Sequence, residues 1–189
     1  GFKRGLCLIA VPQDAIHGPY RERLARAAAA SGLEPYRFAG GLYRHPAYRQ
    51  AIARSAARVL SRFSPGMRSR TRLIFTAHSI PQSSPALKPY VSQTRAMARA
   101  ASRILRVCPY TVAFQSQPVK EGWCGPFLEE TLEKTARSGF RGVVVIPAGF
   151  LFENLELRYG LDVEARGWCR RLGLVYRRAK LEAPSSLNI

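Results

Sequence analysis

The stretch Val143-Val144-Val145-Ile146-Pro147 contains the strongest strand signal in the chain and decides the class of fold. Its four β-branched residues favour an extended backbone, and Pro147 ends the run because proline has no amide hydrogen for strand pairing. A run that is apolar at every position is typical of a strand buried on both faces. Because such strands belong to parallel sheets with helices on each side, the stretch predicts an α/β fold.

The same alternation of strands and helices extends outward from this stretch in both directions. Further strands are predicted at 6–11, 36–38, 73–76, 111–114 and 174–176. Helices are predicted at 19–31, 46–63, 90–105, 126–138 and 152–172, with proline near several starts and glycine directly after three of the ends. Strands and helices in this order predict a parallel sheet flanked by helices.

Composition restricts the partner but does not identify it. The 189 residues carry 30 basic and 12 acidic side chains, a net charge of +18, which attracts nucleic acid, anionic lipid and polycarboxylate ligands alike. The longest apolar stretch falls well short of the roughly 18 residues of a membrane span. The 4 cysteines are widely spaced, which favours a reduced, cytoplasmic setting. The chain starts at Gly1 without an initiator methionine, so we expect it to be a piece of a longer protein.

Polar side chains follow three of the predicted strands, at the sheet edge where open α/β folds bind ligands. They are His78 after the strand at 73–76, Gln115 and Ser116 after the strand at 111–114, and Glu153 and Glu156 after the strand at 143–146. Each has an ordinary structural explanation too, since a lone histidine is often a hydrogen-bonded core residue and carboxylates in a first helical turn complement the helix dipole. Their convergence on one edge makes them the candidate site.

Three motifs occur in order along the chain. They are Leu73-Ile74-Phe75-Thr76-Ala77-His78-Ser79-Ile80-Pro81, then Gln115-Ser116 with Trp123-Cys124-Gly125-Pro126, then the segment from Pro147 to Asp162 with Gly149-Phe150, Glu156 and Tyr159. Their order and internal spacing resemble those of the ferrochelatase family over nearly the whole chain. The resemblance implies a chelatase-like fold, in which two Rossmann-like lobes have parallel sheets flanked by helices. Residues 1–64 would be the C-terminal part of the first lobe, 65–71 a linker, and 72–189 a second lobe that is complete or nearly so.

The resemblance also implies an activity, the insertion of ferrous iron into a porphyrin in haem biosynthesis, with protoporphyrin IX and coproporphyrin III both open. His78 and Glu156 would be the catalytic and metal-binding pair, because an imidazole can ligate Fe²⁺ and accept a proton while a carboxylate is a hard ligand for the dication. The residues that would bind the porphyrin are Gln13, Ser79, Gln115, Ser116 and Trp123. Glu153 and Glu164 are further candidates for the metal path.

One departure from the family pattern affects this metal path. Relatives carry a row of acidic residues at i, i+4 and i+8 from the position of Glu156, whereas here the row is Glu156, Gly160 and Glu164. The middle carboxylate is therefore missing.

Two other functions stay open from the sequence. The charge of +18 suggests a basic nucleic-acid-binding α/β domain, and Gly160 suggests a non-catalytic porphyrin-binding relative. Nucleic acid is not the expected partner, since no recognised nucleic-acid motif is present. We expect porphyrin and ferrous iron as partners, leave peripheral contact with an anionic membrane open, and expect no cofactor beyond the substrate Fe²⁺ and no iron–sulfur cluster.

Overall fold

Strands and helices alternate along the described chain, except where two helices follow each other before the third strand. The computed structural model describes residues 5–9, 11–32, 36–106, 109–116 and 118–181. In chain order its elements are β1 (Gly5–Leu8), α1 (Gly18–Ser31), β2 (Tyr36–Ala39), α2 (Pro46–Leu60), α3 (Pro65–Arg68), β3 (Thr71–His78), α4 (Leu87–Leu105), β4 (Tyr110–Gln115), α5 (Leu128–Arg137), β5 (Gly142–Ile146), α6 (155–171) and β6 (Val175–Arg178). Two short 3₁₀ turns, Asp14–Ile16 and Leu42–Arg44, precede α1 and α2.

The strands form two parallel sheets. The larger sheet has four strands in the order β4-β3-β5-β6, and β1 pairs with β2 in a separate two-stranded sheet. All pairings are parallel, which confirms the predicted α/β class with a parallel sheet flanked by helices. Strand β3 is hydrogen-bonded on both sides, to β4 and to β5, and therefore lies inside the sheet.

Both faces of the larger sheet are covered, as the continuous apolar strands predict. One face packs against α2 and α4 in a cluster that includes Tyr48, Phe75 and Met97. The other face packs against α5 and α6 in a cluster that includes Leu132 and Leu161. All of β5 is buried, because neighbouring residues point alternately into the two clusters.

Two predicted strands end at different residues in the structure. Strand β3 continues to His78 because the last pair of its ladder with β4 joins His78 to Gln115. The first strand ends at Leu8 because its pairing with β2 stops there. Its predicted end is at position 11. His78 is therefore the last residue of a paired strand and not the first residue of a loop.

A one-turn helix occupies most of the predicted linker at 65–71. This helix, α3, begins after Ser64, whose Oγ accepts a hydrogen bond from the amide of Met67 at 3.4 Å. Helix α2, which precedes α3, packs against α4 and β5. The division into two lobes with a boundary at 65–71 stays a prediction.

Helix α6 is not a uniform α-helix. Its α-helical start, Leu155–Leu157, passes into a π-helical stretch, Arg158–Ala165, and then into a second α-helical stretch, Arg166–Arg171. The side chain of Asn154 caps the start by accepting a hydrogen bond from the amide of Leu157 at 2.8 Å, so the helix begins after the predicted position 152. π-Helical stretches are rare and frequently lie at functional sites.

The loop after β5 is held tightly against the sheet and against α2. The hydroxyl of Tyr48 donates to the carbonyls of Ala148 and Phe150, each at 2.9 Å. The amide of Gly149 donates to the carbonyl of Thr76 at 2.9 Å. A Cβ at Gly149 would lie 2.5 Å from the Cβ of Ala77, so the loop can pass this close to β3 only with glycine at that position.

We therefore expect Gly149→Ala to lower the free energy of unfolding by about 1–3 kcal/mol, the usual cost of overpacking. The matched control is Gly66→Ala in α3, where an added Cβ meets no heavy atom within 4 Å. This control should leave stability unchanged or raise it by about 0.5–1 kcal/mol. Chemical denaturation of both variants provides the comparison, and equal stability of the two would contradict the close approach.

Candidate active site

His78 and Glu156 face each other where β3 ends and α6 begins. His78 Nε2 lies 3.7 Å from Glu156 Oε1, and the two side chains are 39% and 43% exposed. The parallel sheet brings the carboxyl ends of β3 and β5 to one edge, and the chain after β5 leads into α6. The structure therefore brings together the two residues that the family resemblance implies as the catalytic pair.

The backbone around His78 sets the orientation and the tautomer of the imidazole. His78 Nδ1 contacts the carbonyl of Ser79, and because a carbonyl can only accept, Nδ1 carries the proton. In a neutral ring, Nε2 then has a free lone pair on the side of Glu156. The hydroxyl of the buried Tyr90 donates to the carbonyl of His78 at 2.8 Å. Burial, with smaller contributions from Cys124 and Glu156, raises the pKa of Tyr90, so this donor stays protonated.

A cleft of about 410 Å³ opens beside this pair. Its lining combines carboxylates with aromatic and amide groups, namely His78, Phe114, Gln115, Ser116, Pro118, Leu128, Glu129, Glu156, Tyr159, Gly160, Glu164 and Trp168. Three carboxylates and no lysine or arginine lie in this lining among the described residues. Glu129 already forms an ion pair with Lys120 at 3.1 Å, so Glu156 and Glu164 are the carboxylates that favour a cation in the cleft, although the chain as a whole is strongly basic.

The amide of Gln115 is available for a ligand. Its side chain lines the cleft and is 5% exposed, yet neither Nε2 nor Oε1 has a hydrogen-bond partner among the described residues. Burying an amide without a partner is costly. The following residue, Ser116, has a left-handed backbone with φ of 65°, a conformation that non-glycine residues seldom adopt and that often marks functional sites.

Gly160 leaves a gap in the acidic row of α6. Glu156, Gly160 and Glu164 all line the cleft, so the row faces the site as the resemblance implies. A Cβ at Gly160 would lie 3.8 Å from Glu164 Oε2 and 3.9 Å from Gln115 Nε2, which is ordinary van der Waals contact. A side chain as small as that of alanine would therefore fit at position 160, in contact with Glu164 and Gln115.

Three of the residues named for porphyrin binding do not line this cleft. Gln13 is fully buried and donates to Thr94 Oγ1 at 3.0 Å, while Ser79 is fully buried and donates to the carbonyl of Cys124 at 2.7 Å. Trp123 is half-buried, with its ring centroid 6.5 Å from that of His78. Trp123 is therefore the one of the three that lies next to the catalytic pair with part of its surface exposed.

Glu153 also lies outside the cleft lining and is engaged elsewhere. Both of its carboxylate oxygens lie 2.9 Å from Arg178 Nη1, and Oε1 accepts a further hydrogen bond from the amide of Leu181. Arg178 also binds Asp162 through two parallel hydrogen bonds of 2.9 and 2.8 Å. Burial lowers the pKa of Arg178, but the hydrogen bonds and charges of Asp162 and Glu153 outweigh burial and raise it overall.

Sequence reasoning did not single out Arg178, Tyr90 or Glu129 for the site. Arg178 is one of many arginines in the chain, and nothing in its sequence neighbourhood marks it as buried. Tyr90 lies at the start of the predicted helix 90–105, and Glu129 lies within the predicted helix 126–138 without any motif that marks it. A positional signal for Arg178 does exist, since it follows the predicted strand 174–176 closely and so falls near the edge where the candidate carboxylates converge.

Within the described ranges, no group of three or more His, Cys, Asp or Glu side chains is arranged to hold a metal ion. Cys7, Cys124 and Cys169 are free thiols there, and burial raises the pKa of Cys169 to about 12. Cys108 lies outside the described residues, and the expectation of no iron–sulfur cluster stays a prediction. No helix among the described residues combines the length and the apolar character needed to cross a bilayer.

The fold has a structural counterpart among chelatases. SirB from Bacillus subtilis, solved with Fe³⁺, superimposes with a TM-score of 0.61 at 14% sequence identity, covering 95% of this chain and 66% of SirB. The protein therefore has a chelatase-type α/β fold, as expected.

A match to a family model identifies the family within this fold class, because the ferrochelatase model matches residues 1–186. Among curated relatives, the ferrochelatase of Thermus thermophilus is 33% identical over 187 residues, covering 95% of this chain and 58% of that protein. The ferrochelatase of Herpetosiphon aurantiacus is 31% identical over 138 residues, covering 72% of this chain and 45% of that protein. The chain thus spans about half the length of these relatives, and it belongs to the ferrochelatase family.

The different surroundings of Glu153 and Glu156 predict different effects on stability. We expect Glu153→Gln to lower the free energy of unfolding by about 1.5–3 kcal/mol, because it weakens charged hydrogen bonds to a buried arginine. Glu156→Gln should cost at most about 1 kcal/mol, since the carboxylate is half-exposed. Thermal denaturation of both variants measures the difference, and equal losses would mean that both residues are structural.

Proposed function

We propose that the protein catalyses the insertion of ferrous iron into a porphyrin, as part of haem biosynthesis. The observation that supports this proposal most directly is the separation of 3.7 Å between His78 Nε2 and Glu156 Oε1 at the edge of a carboxylate-lined cleft. An imidazole with its Nε2 lone pair free and a carboxylate opposite it can together hold a divalent cation and accept protons. Membership of the ferrochelatase family supports the same reaction.

The proposed reaction requires two proton acceptors and no change of oxidation state. Fe²⁺ loses its water ligands, the two pyrrole N–H bonds break, four iron–nitrogen bonds form, and two protons leave. His78 Nε2 would ligate the incoming Fe²⁺ or accept one pyrrole proton. Glu156 would assist from the opposite side, as a second acceptor or as the last carboxylate that the metal meets.

The metal would reach this pair along the carboxylate side of the cleft. Glu164 and Gln115 line this cleft beside Gly160 and would offer the cation a carboxylate and an amide oxygen on its way to Glu156. Glu153 is the weaker of the two sequence candidates for this path, since Arg178 already binds both of its oxygens.

The porphyrin would lie on the Trp123 side of His78, where the half-buried indole offers an apolar face. Gln115 and Ser116 would contact it from the end of β4. Gln13 and Ser79 would support the porphyrin site from the protein interior, since both are buried and hydrogen-bonded to neighbouring elements. The substrate is protoporphyrin IX or coproporphyrin III. A relative from Nocardia farcinica, 32% identical over 178 residues and covering 85% of this chain and 49% of its own length, is named a coproporphyrin III ferrochelatase.

We expect His78→Ala to lower the rate of metal insertion by about 10²–10⁴-fold, the usual contribution of a positioned acid or base. The measurement is Fe²⁺ or Zn²⁺ insertion by the natural full-length protein, followed by porphyrin absorbance. Glu156→Gln should cause a comparable loss. Glu133→Gln on the exposed side of α5 is the matched control and should retain activity. Turnover of His78→Ala at the wild-type rate would contradict the catalytic assignment, and porphyrin binding without turnover in the wild type would favour the non-catalytic alternative.

A basic groove supports a second, peripheral contact. The groove lies along α4, has a volume of about 690 Å³, and is lined by Arg49, Lys88, Arg95, Arg99 and Arg103 together with small residues. No carboxylate is among its lining residues in the described part of the chain. We propose that this side of the protein contacts anionic lipid headgroups, and that the protein works in the cytoplasm at the membrane surface. A nucleic-acid partner would use the same charges and is the competing explanation.

Arginine substitutions and a salt titration together distinguish an anionic membrane from nucleic acid as the partner. Binding to vesicles of phosphatidylglycerol and phosphatidylcholine should weaken on replacing Arg95, Arg99 and Arg103 with glutamine. Replacement of Arg137, Arg170 and Arg171, which removes the same charge elsewhere, should have a smaller effect. Binding to duplex or single-stranded DNA should be lost at physiological salt, since contacts to six or more phosphates lose about 10³-fold or more between 50 and 200 mM salt. DNA binding that persists there, without vesicle binding, would favour the nucleic-acid function.

A further inference from the structure

Arg178 makes the most extensive side-chain ion-pair network near the site. Its side chain is 6% exposed, and its guanidinium binds Asp162 through Nε and Nη2 and Glu153 through Nη1, at 2.8 to 2.9 Å. This planar, two-pronged contact fixes orientation as well as distance. Arg178 is the last residue of β6, so the network is anchored to the larger sheet.

The two carboxylates lie on either side of Glu156 in the chain. Glu153 precedes the helix cap Asn154, and Asp162 lies within the π-helical stretch. Neither of them lines the cleft, whereas Glu156 does. Arg178 therefore holds the start of α6 through residues outside the cleft lining, at one point before Glu156 and one point after it.

The π-helical stretch explains why such a double attachment is needed. A π-helix is rarer and less favourable than an α-helix, and a return to α-helical pairing would shift the residues of the stretch around the helix axis. The contact from Asp162 to β6 resists that shift. The contact from Glu153 fixes where the helix starts, next to the cap that Asn154 provides.

We infer that Arg178 is a positioning residue, which holds Glu156 opposite His78 by binding Glu153 and Asp162 at the same time. This inference rests on the proposed function, because it assigns the carboxylate that Arg178 orients to metal insertion. The competing explanation is that Arg178 only neutralises two partly buried carboxylates and so stabilises the fold.

The test compares three variants of the natural full-length protein. Arg178→Met removes the contact, Arg178→Lys keeps the charge but cannot form the two-pronged pairing, and the triple variant R178M/E153Q/D162N removes the arginine together with both charges that it neutralises. The matched control is Arg137→Met, which removes an exposed arginine paired with Glu133 on α5. Unfolding temperature, kcat and KM for the porphyrin are measured for each.

Positioning predicts that Arg178→Met lowers kcat by about 10–100-fold, the range that a small misplacement of a reacting group can cause, while KM changes little. Arg178→Lys should lie between Arg178→Met and the wild type. The triple variant should regain the wild-type unfolding temperature to within about 4 °C, a stability difference near 1 kcal/mol, yet keep the low kcat. Wild-type kcat in Arg178→Met, or recovery of kcat in the triple variant, would overturn the inference.

A Co²⁺ titration separates failure of this inference from failure of the proposed function. Co²⁺ alone, added to the wild type, should produce visible absorption bands that disappear in His78→Ala and change in shape in Arg178→Met. If these bands behave so but the wild type inserts no metal, the proposed function fails and the positioning role stands. If Arg178→Met leaves the His78-dependent bands unchanged, the positioning role fails whatever the activity.

Discussion

The structure depends on the position of β3 inside the larger sheet. Because β4 and β5 pair with it on either side and both faces are covered by helices, its side chains from Leu73 to Ala77 are removed from water. His78 comes at the point where the strand reaches the sheet edge, and there its side chain is partly exposed. The burial of β3 thus determines the position of His78. The loop after β5 can pass close to Ala77 at the end of this strand because position 149 is glycine.

Glu156 is placed by a different kind of constraint. It lies in the first turn of a helix whose middle stretch, Arg158–Ala165, is π-helical. The orientation of that helix depends on a cap and on ion pairs to β6. A strand supplies one half of the pair and a helix start supplies the other. Each half has its own buried support, Tyr90 behind His78 and Arg178 behind Glu156.

The net charge of the whole chain and the charge of the cleft lining have opposite signs. The chain carries a net charge of +18, yet the lining of the described cleft includes three glutamates and neither lysine nor arginine. At long range the positive field favours anions such as a porphyrin carboxylate or a lipid headgroup, and salt screens that attraction over about 8 Å. Inside the cleft the nearby carboxylates dominate and favour a cation. One molecule can therefore attract an anion through its net charge and a cation through the cleft.

The α/β class, the order of the elements and the pairing of His78 with Glu156 could be predicted from the sequence. Burial on both sides leaves a continuous apolar run such as Val143 to Ile146, and the motifs that contain the two residues are contiguous stretches of chain. The π-helical geometry of α6 and the engagement of Glu153 by Arg178 could not be predicted, nor could the burial of Gln13 and Ser79 away from the cleft. These features depend on contacts between residues far apart in the chain, such as 25 positions between Glu153 and Arg178 and 81 between Gln13 and Thr94. Local patterns determine which segments form strands and helices, whereas side-chain packing between distant segments decides which of two nearby carboxylates faces the site.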